Sequence, residues 1–219
     1  MTAATQPEAA GDPNSHRARK RARTWTAIHL AAAEAAATHD RLADVTIEAV
    51  AEKAEISPRT FFNYFRSKED AVLGLRGAVI DRDVAAGFVV EPGGDLVEKV
   101  AFLLLAVFRT SNHRQISQQH YVELMDRHPE LARKRFQHVD DVEALVTKLV
   151  TDKLAESEHW RATHAEHSAE DTARMIVTVA AAVMRMAMRP ILAHPGQTEA
   201  DADAILHRTF ALFREVTHS

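Results

Sequence analysis

Residues 46–68 read TIEAVAEKAEISPRTFFNYFRSK, and this stretch decides the fold. Thr46 supplies an oxygen at the start of a helix whose small or apolar positions Ile47, Val50, Ala51 and Ala54 recur at three- and four-residue intervals, so they share one buried face. Ser57 offers a second capping oxygen. Pro58 follows at the first helical position, where a missing N–H costs nothing. This second helix turns Phe61 and Phe65 inward, Ile56 plugs the turn, and the small Ala51 lets the two helices approach closely. Arg59, Thr60, Asn63 and Tyr64 are left on the open face. Ser67, with Asp70 three residues on, starts a third helix whose first turn carries Lys68 beside open backbone N–H groups that suit a phosphate. Two short helices joined by a tight turn, the second with a polar outward face, form the pattern of a helix-turn-helix that reads DNA.

The flanks agree. Upstream, HRARKRAR places Arg17, Arg19, Lys20, Arg21 and Arg23 in one run without an acidic residue, suited to phosphates or to a minor groove. The whole chain is acidic, with 27 basic and 31 acidic residues, yet residues 15–68 hold 10 basic against 6 acidic ones. Positive charge is concentrated where DNA would lie, and the other end has no nucleic-acid signature.

The segment from about Arg17 to Leu73 resembles the DNA-binding domain of the TetR family of bacterial transcriptional regulators. The resemblance is carried by Ser57, Pro58, Arg59, Thr60, Phe61, Phe62, Asn63, Tyr64 and Phe65, then Ser67, Lys68 and Glu69. It implies that Arg59 and Asn63 read base edges, with Pro58 and Phe62 in apolar contact. It further implies that Thr46, Ser57, Thr60, Tyr64 and Lys68, joined by the basic run Arg17, Arg19, Lys20, Arg21 and Arg23, hold phosphates. Two departures stand out. Glu55 occupies a turn position where the family usually has Gly, which costs a side-chain-bearing residue about 1 kcal/mol if φ is positive and leaves room for a reshaped turn. The stretch AEAAATHDRLADVT, residues 33–46, lacks the Phe and Gly that usually end the family's first helix, which loosens the expected placement of that helix.

Composition sets the rest. With 219 residues, 46% apolar content and only 7 Gly and 7 Pro, the chain suits an all-α fold of two modest domains. The expected organisation is a disordered tail over 1–15, a three-helix DNA-binding domain over 16–68 and a helical effector-binding and dimerisation domain over 69–219. The absence of cysteine excludes disulfides and thiolate metal sites, and the apolar runs fall well short of a membrane span, so a cytoplasmic protein is expected. Beyond Ser67 the pattern predicts helices over 67–88, 95–109, 115–127, 129–156, 169–192 and 199–217, with a polar link over 156–168.

The last two helices carry more apolar surface than a single hairpin buries. Ala173, Ile176, Val177, Ala180 and Met184, with Ile205, Thr209, Phe210 and Phe213, are therefore expected at a homodimer interface, and twofold symmetry implies a palindromic operator. Phe102, Leu105, Phe108, Tyr121, Met125, Phe136, Met175 and Met186 are candidates to line a pocket for a small, largely apolar effector that releases a repressor from DNA. His159, His164 and His167 lie close together in the polar link, where a solvated loop is the expectation and a metal site is not. No cofactor is called for, and no phosphate loop, nucleophile elbow or zinc-protease pairing supports an enzyme. The nearest alternative is a DNA-architectural protein without ligand control.

Overall fold

The computed structural model describes residues 13–193 and 199–217. The chain divides into two compact units, at Leu73/Gly74. In the first, α1 (Pro13–Thr38) is followed by a single 3-10 turn at Leu42–Asp44, then α2 (Ile47–Lys53), α3 (Pro58–Phe62) and α4 (Lys68–Leu73). Most of the expected tail, residues 1–12, lies outside the described residues, but the backbone is already helical from Pro13.

The core of this unit is built from Trp25, Ile28, Ala32 and Ala36 on α1, Leu42 and Val45 around the 3-10 turn, Val50 and Ala51 on α2, and Phe61, Phe65, Val72 and Leu73 beyond them. Trp25 and Phe65 meet with ring centroids 5.2 Å apart, and Phe61 lies 5.9 Å from Phe65. These rings supply large buried area in a small unit. Buried among them, His29 Nδ1 lies 2.7 Å from the carbonyl oxygen of Ala71; since a carbonyl only accepts, Nδ1 carries the proton and donates.

In the second unit the segment after Leu73 departs from expectation. A helix over 67–88 is replaced by α4, an extended stretch and the single-turn-scale α5 (Arg82–Gly87). Gly74 takes φ 67, which ends the helix, and Leu75 then pairs in antiparallel fashion with Asn112. The remaining helices are α6 (Leu96–Ser111), α7 (Gln118–Arg127), α8 (Glu130–Glu156), α9 (Glu158–Thr163), α10 (Ala169–Ala193) and α11 (Glu199–Thr217). Helix α10 packs on both α6 and α8, and α11 covers α10 and the flank of α6. Val142, Val146, Val150 and Leu154 form a four-residue stripe along α8 that meets Val100, Ala101 and Leu104 of α6, while the small Ala173, Ala180 and Ala181 bring α10 close. The stretch 156–168 is not a plain polar link: α9 tucks Trp160 into this core, and His164 stacks on its indole at 5.6 Å. His159 and His167 are exposed.

Candidate nucleic-acid interface

The outward face of α3 is set by its local chemistry. Ser57 Oγ accepts from the Thr60 N–H at 3.1 Å, Pro58 occupies the first turn, and Phe61 is fully buried beneath it. Anchoring on that side leaves Pro58, Arg59, Phe62 and Asn63 facing solvent. Phe62 is 56% exposed, so it is not a core aromatic, and an unburied phenyl ring among polar neighbours is available for an apolar contact such as a thymine methyl.

At the start of α2, Thr46 Oγ1 accepts from the Ala49 N–H at 3.2 Å, and Thr60 Oγ1 shares a hydrogen bond with Ser57 Oγ at 2.9 Å. These hydroxyls hold the two helix starts. Arg21 stacks over the Tyr64 ring at 5.4 Å, which ties the basic beginning of α1 to the end of the recognition segment. Arg17, Arg19, Lys20, Arg21 and Arg23 are all exposed along one helix. A helix about 10–12 Å across does not itself fit a minor groove about 6 Å wide, so this run presents its cations to a duplex as side chains projecting from a helix and not as an extended arm lying in that groove.

Lys68 also departs from expectation. Its ammonium donates to the carbonyls of Leu42 at 2.6 Å, Val45 at 2.9 Å and Ala43 at 3.4 Å. Of the ammonium's three donors, two make strong bonds and the third a weak one to carbonyls of the protein itself, so Lys68 is committed inward and not to a phosphate. Lys68 instead clamps the 3-10 turn that leads into the Thr46 cap by satisfying its carbonyls. Glu55 meanwhile adopts φ 56, so the tight turn is retained, with the strain of a side chain in the left-handed region. Arg66, exposed between Phe65 and Ser67, is a cation on this surface that helix-face reasoning passed over because it lies in a turn.

Residues 30–73 match the family model described as bacterial regulatory proteins, tetR family. Residues 30–73 thus carry the helix-turn-helix domain of the tetR family, a family of DNA-binding transcription regulators. The match ends at Leu73, where the first compact unit ends, and the basic start of α1 precedes it. No curated protein matches the chain significantly.

Among the described residues, the candidate effector residues fall in different places. Phe102 faces a cleft of about 450 Å³ beside Phe88, whereas Tyr121 and Met125 line another of about 230 Å³. Leu105 is core, and Phe108 lies edge-on to the buried His138, which pairs with Ser111 Oγ at 3.1 Å. Phe136, Met175 and Met186 are 68%, 66% and 60% exposed and line neither of these two clefts. The expected dimer residues need a matching correction. Ala173, Val177, Ala180, Met184 and Phe210 are buried in the chain's own core, and Ile176, Ile205 and Phe213 pack against it; Thr209 is half-buried, with Oγ1 donating to the Ile205 carbonyl. The broad apolar face of α10 is consumed by α6 and α8. Its outward stripe is Met175, Thr178, Ala182 and Met186. Among the described residues no helix is long and apolar enough to cross a membrane.

Proposed function

We propose that the chain is a ligand-responsive repressor of the bacterial cytoplasm that binds a palindromic operator as a homodimer and acts by binding, not by catalysis. The observation that carries this reading is the open face of α3. Arg59 and Asn63 are exposed side by side with Phe62 on a helix whose opposite side is locked by Phe61, so the polar groups are presented on a rigid support. Arg59 forks onto guanine O6 and N7, Asn63 pairs with adenine N6 and N7, and Pro58 and Phe62 contact methyl groups. Ser57, Thr60, Tyr64 and the exposed cations of α1 hold phosphates and set register. Dimerisation uses the outward stripe of α10 together with Leu212 of α11, which is 48% exposed. A twofold pair of recognition helices then requires two inverted half-sites.

Selection of genomic fragments by the purified protein at moderate salt tests this, because non-specific charge binding fades there while base readout persists. The expected result is a shared palindrome beside one or a few genes, with Arg59→Ala relaxing preference at one symmetric position. Equal retention of all fragments, or of none, refutes sequence-specific regulation.

A further inference from the structure

The cleft of about 230 Å³ formed where α6 ends, along α7 and at the first turns of α8, has a charge pattern that a structural role leaves unexplained. Arg114 and Arg135 both line it, together with Tyr121, Met125 and Asp126. The Arg114 guanidinium carbon lies over the Tyr121 ring, 4.5 Å from its centroid, and the residue is half-buried. Neither guanidinium is paired with a carboxylate among the described residues; Asp126 shares the cleft without reaching either of them. Two like charges brought together at a half-buried site oppose folding unless something else is gained there. Burial, and next to it the charge of Arg135, hold the Arg114 guanidinium below its ordinary pKa after the opposing effect of Tyr121.

The lining of the cleft defines its occupant. Two guanidiniums at one cleft offer N–H donors suited to a planar carboxylate. The walls supplied by Tyr121, Val122 and Met125 are apolar and call for an apolar body. With one carboxylate set against two guanidiniums, the cleft holds a surplus of a single positive charge, which matches a monoanion and not a doubly charged phosphate. The volume is about eight water volumes, enough for an aryl or short acyl group. We propose that this cleft is the receptor for a small organic monocarboxylate, its carboxylate on Arg114 and Arg135 and its flat or short apolar body against Tyr121 and Met125. As an effector site this rests on the ligand-responsive reading above, and Asn112 gives it a route. Asn112 lines the same cleft, and its backbone pairs with Leu75, two residues after the DNA-binding unit ends.

The test is calorimetric titration of the full chain, without DNA, with benzoate, phenylacetate and hexanoate, and with benzamide as the uncharged counterpart of benzoate. At least one carboxylate should saturate at one per chain, with benzamide binding at least about tenfold more weakly. Arg114→Gln and Arg135→Gln should each weaken that carboxylate by about tenfold to hundredfold. Arg135 is exposed, so its variant carries the test if Arg114→Gln does not fold. Failure of every carboxylate to bind, equal binding of benzamide and benzoate, or full affinity in Arg135→Gln overturns the proposal. Operator release is measured separately on the same samples. Binding without release refutes the effector reading and leaves the receptor standing, whereas absence of binding removes the receptor and leaves DNA recognition untouched.

Discussion

Replacing Lys68 by Met separates a structural lysine from a DNA-binding one. Met keeps the aliphatic stem and removes the ammonium, so the carbonyls of Leu42, Val45 and Ala43 lose a shared donor. The two bonds at 2.6 and 2.9 Å are the strong ones, and the third at 3.4 Å is marginal. Hydrogen bonds from a charged donor contribute about 1.5–3 kcal/mol each, giving a gross loss of about 3 kcal/mol at the lower value for a half-buried site. Freeing the lysine side chain returns about 1–2 kcal/mol of conformational entropy, so the net destabilisation is about 1–2 kcal/mol. Urea unfolding followed by Trp25 fluorescence, in a Trp160→Phe background, reports on the N-terminal unit because Trp25 is buried there. The midpoint should fall at unchanged slope. Lys68→Arg should recover only part of the loss, since a planar fork cannot aim three N–H groups at three carbonyls around one point. The reasoning fails if Lys68→Met unfolds like the parent while its DNA affinity loses about one phosphate's worth of salt dependence, a change near 0.9 in slope. That outcome would return Lys68 to the phosphate role its sequence context suggests.

Three further outcomes follow from the geometry. Glu55→Gly should raise stability by about 1 kcal/mol, roughly 4–8 °C for a unit of this size, by relieving φ 56; Glu55→Ala keeps the Cβ and should gain little, and equal gains in both variants would point to charge instead of strain. His113 is held below the ordinary histidine value of 6.5, first by burial and then by Arg76. The unfolded chain therefore binds this proton more readily than the folded one, and stability present above that value is lost as pH falls through the window below it; His113→Gln should flatten this part of a pH series of urea midpoints, and an unchanged series would remove His113 as the cause. Met186→Glu, on the outward stripe of α10, should convert a dimer to a monomer of 24.3 kDa in light scattering at micromolar concentration without loss of helix signal; a parent that already runs as a monomer, or a variant that stays dimeric, sinks this interface.

Local chemistry was the legible part. Thr46, Ser57 and Pro58 announce helix starts through interactions spanning three residues, and Phe61 with Phe65 lie within a turn of each other, so periodicity alone places them. The Lys68 clamp was hidden because its partners stand 23–26 residues earlier, a separation at which no spacing rule operates. Its presence in the first turn of a helix pointed to a phosphate for a sound local reason, and tertiary structure overrode it. The helix expected over 67–88 is interrupted between α4 and α5, where Gly74, Gly77 and the β-branched Val79 and Ile80 weaken helical preference, signals outweighed by the surrounding alanine-rich pattern. For α10, periodicity revealed apolar faces but not their allegiance. Whether Ala180 or Ala182 meets a partner depends on where α6 and α8 lie, and the sequence of α10 holds no record of that.

Under the ligand-responsive reading proposed above, the segment after Leu73 is the place to look for control, and its hydrogen bonds set the scale. Arg76 N–H donates to the Ser111 carbonyl at 2.7 Å and His113 N–H to the Gly74 carbonyl at 3.1 Å, so the first residues of the C-terminal unit are fastened to the end of α6. Asn112 lies between those bonds and lines the Arg114 cleft. A ligand there shifts DNA binding only by as much as it prefers one arrangement of this junction over another; each tenfold preference is worth about 1.4 kcal/mol. Two backbone hydrogen bonds at about 1 kcal/mol each set a scale of about 2 kcal/mol for loosening the junction. A monocarboxylate gripped by two guanidiniums has binding energy of that order to redistribute, whereas a neutral ligand resting on Tyr121 and Met125 alone has little with which to distinguish two positions of Arg114. The proposed charge recognition in the cleft and the proposed control of DNA binding thus share one short stretch of chain, residues 111–114.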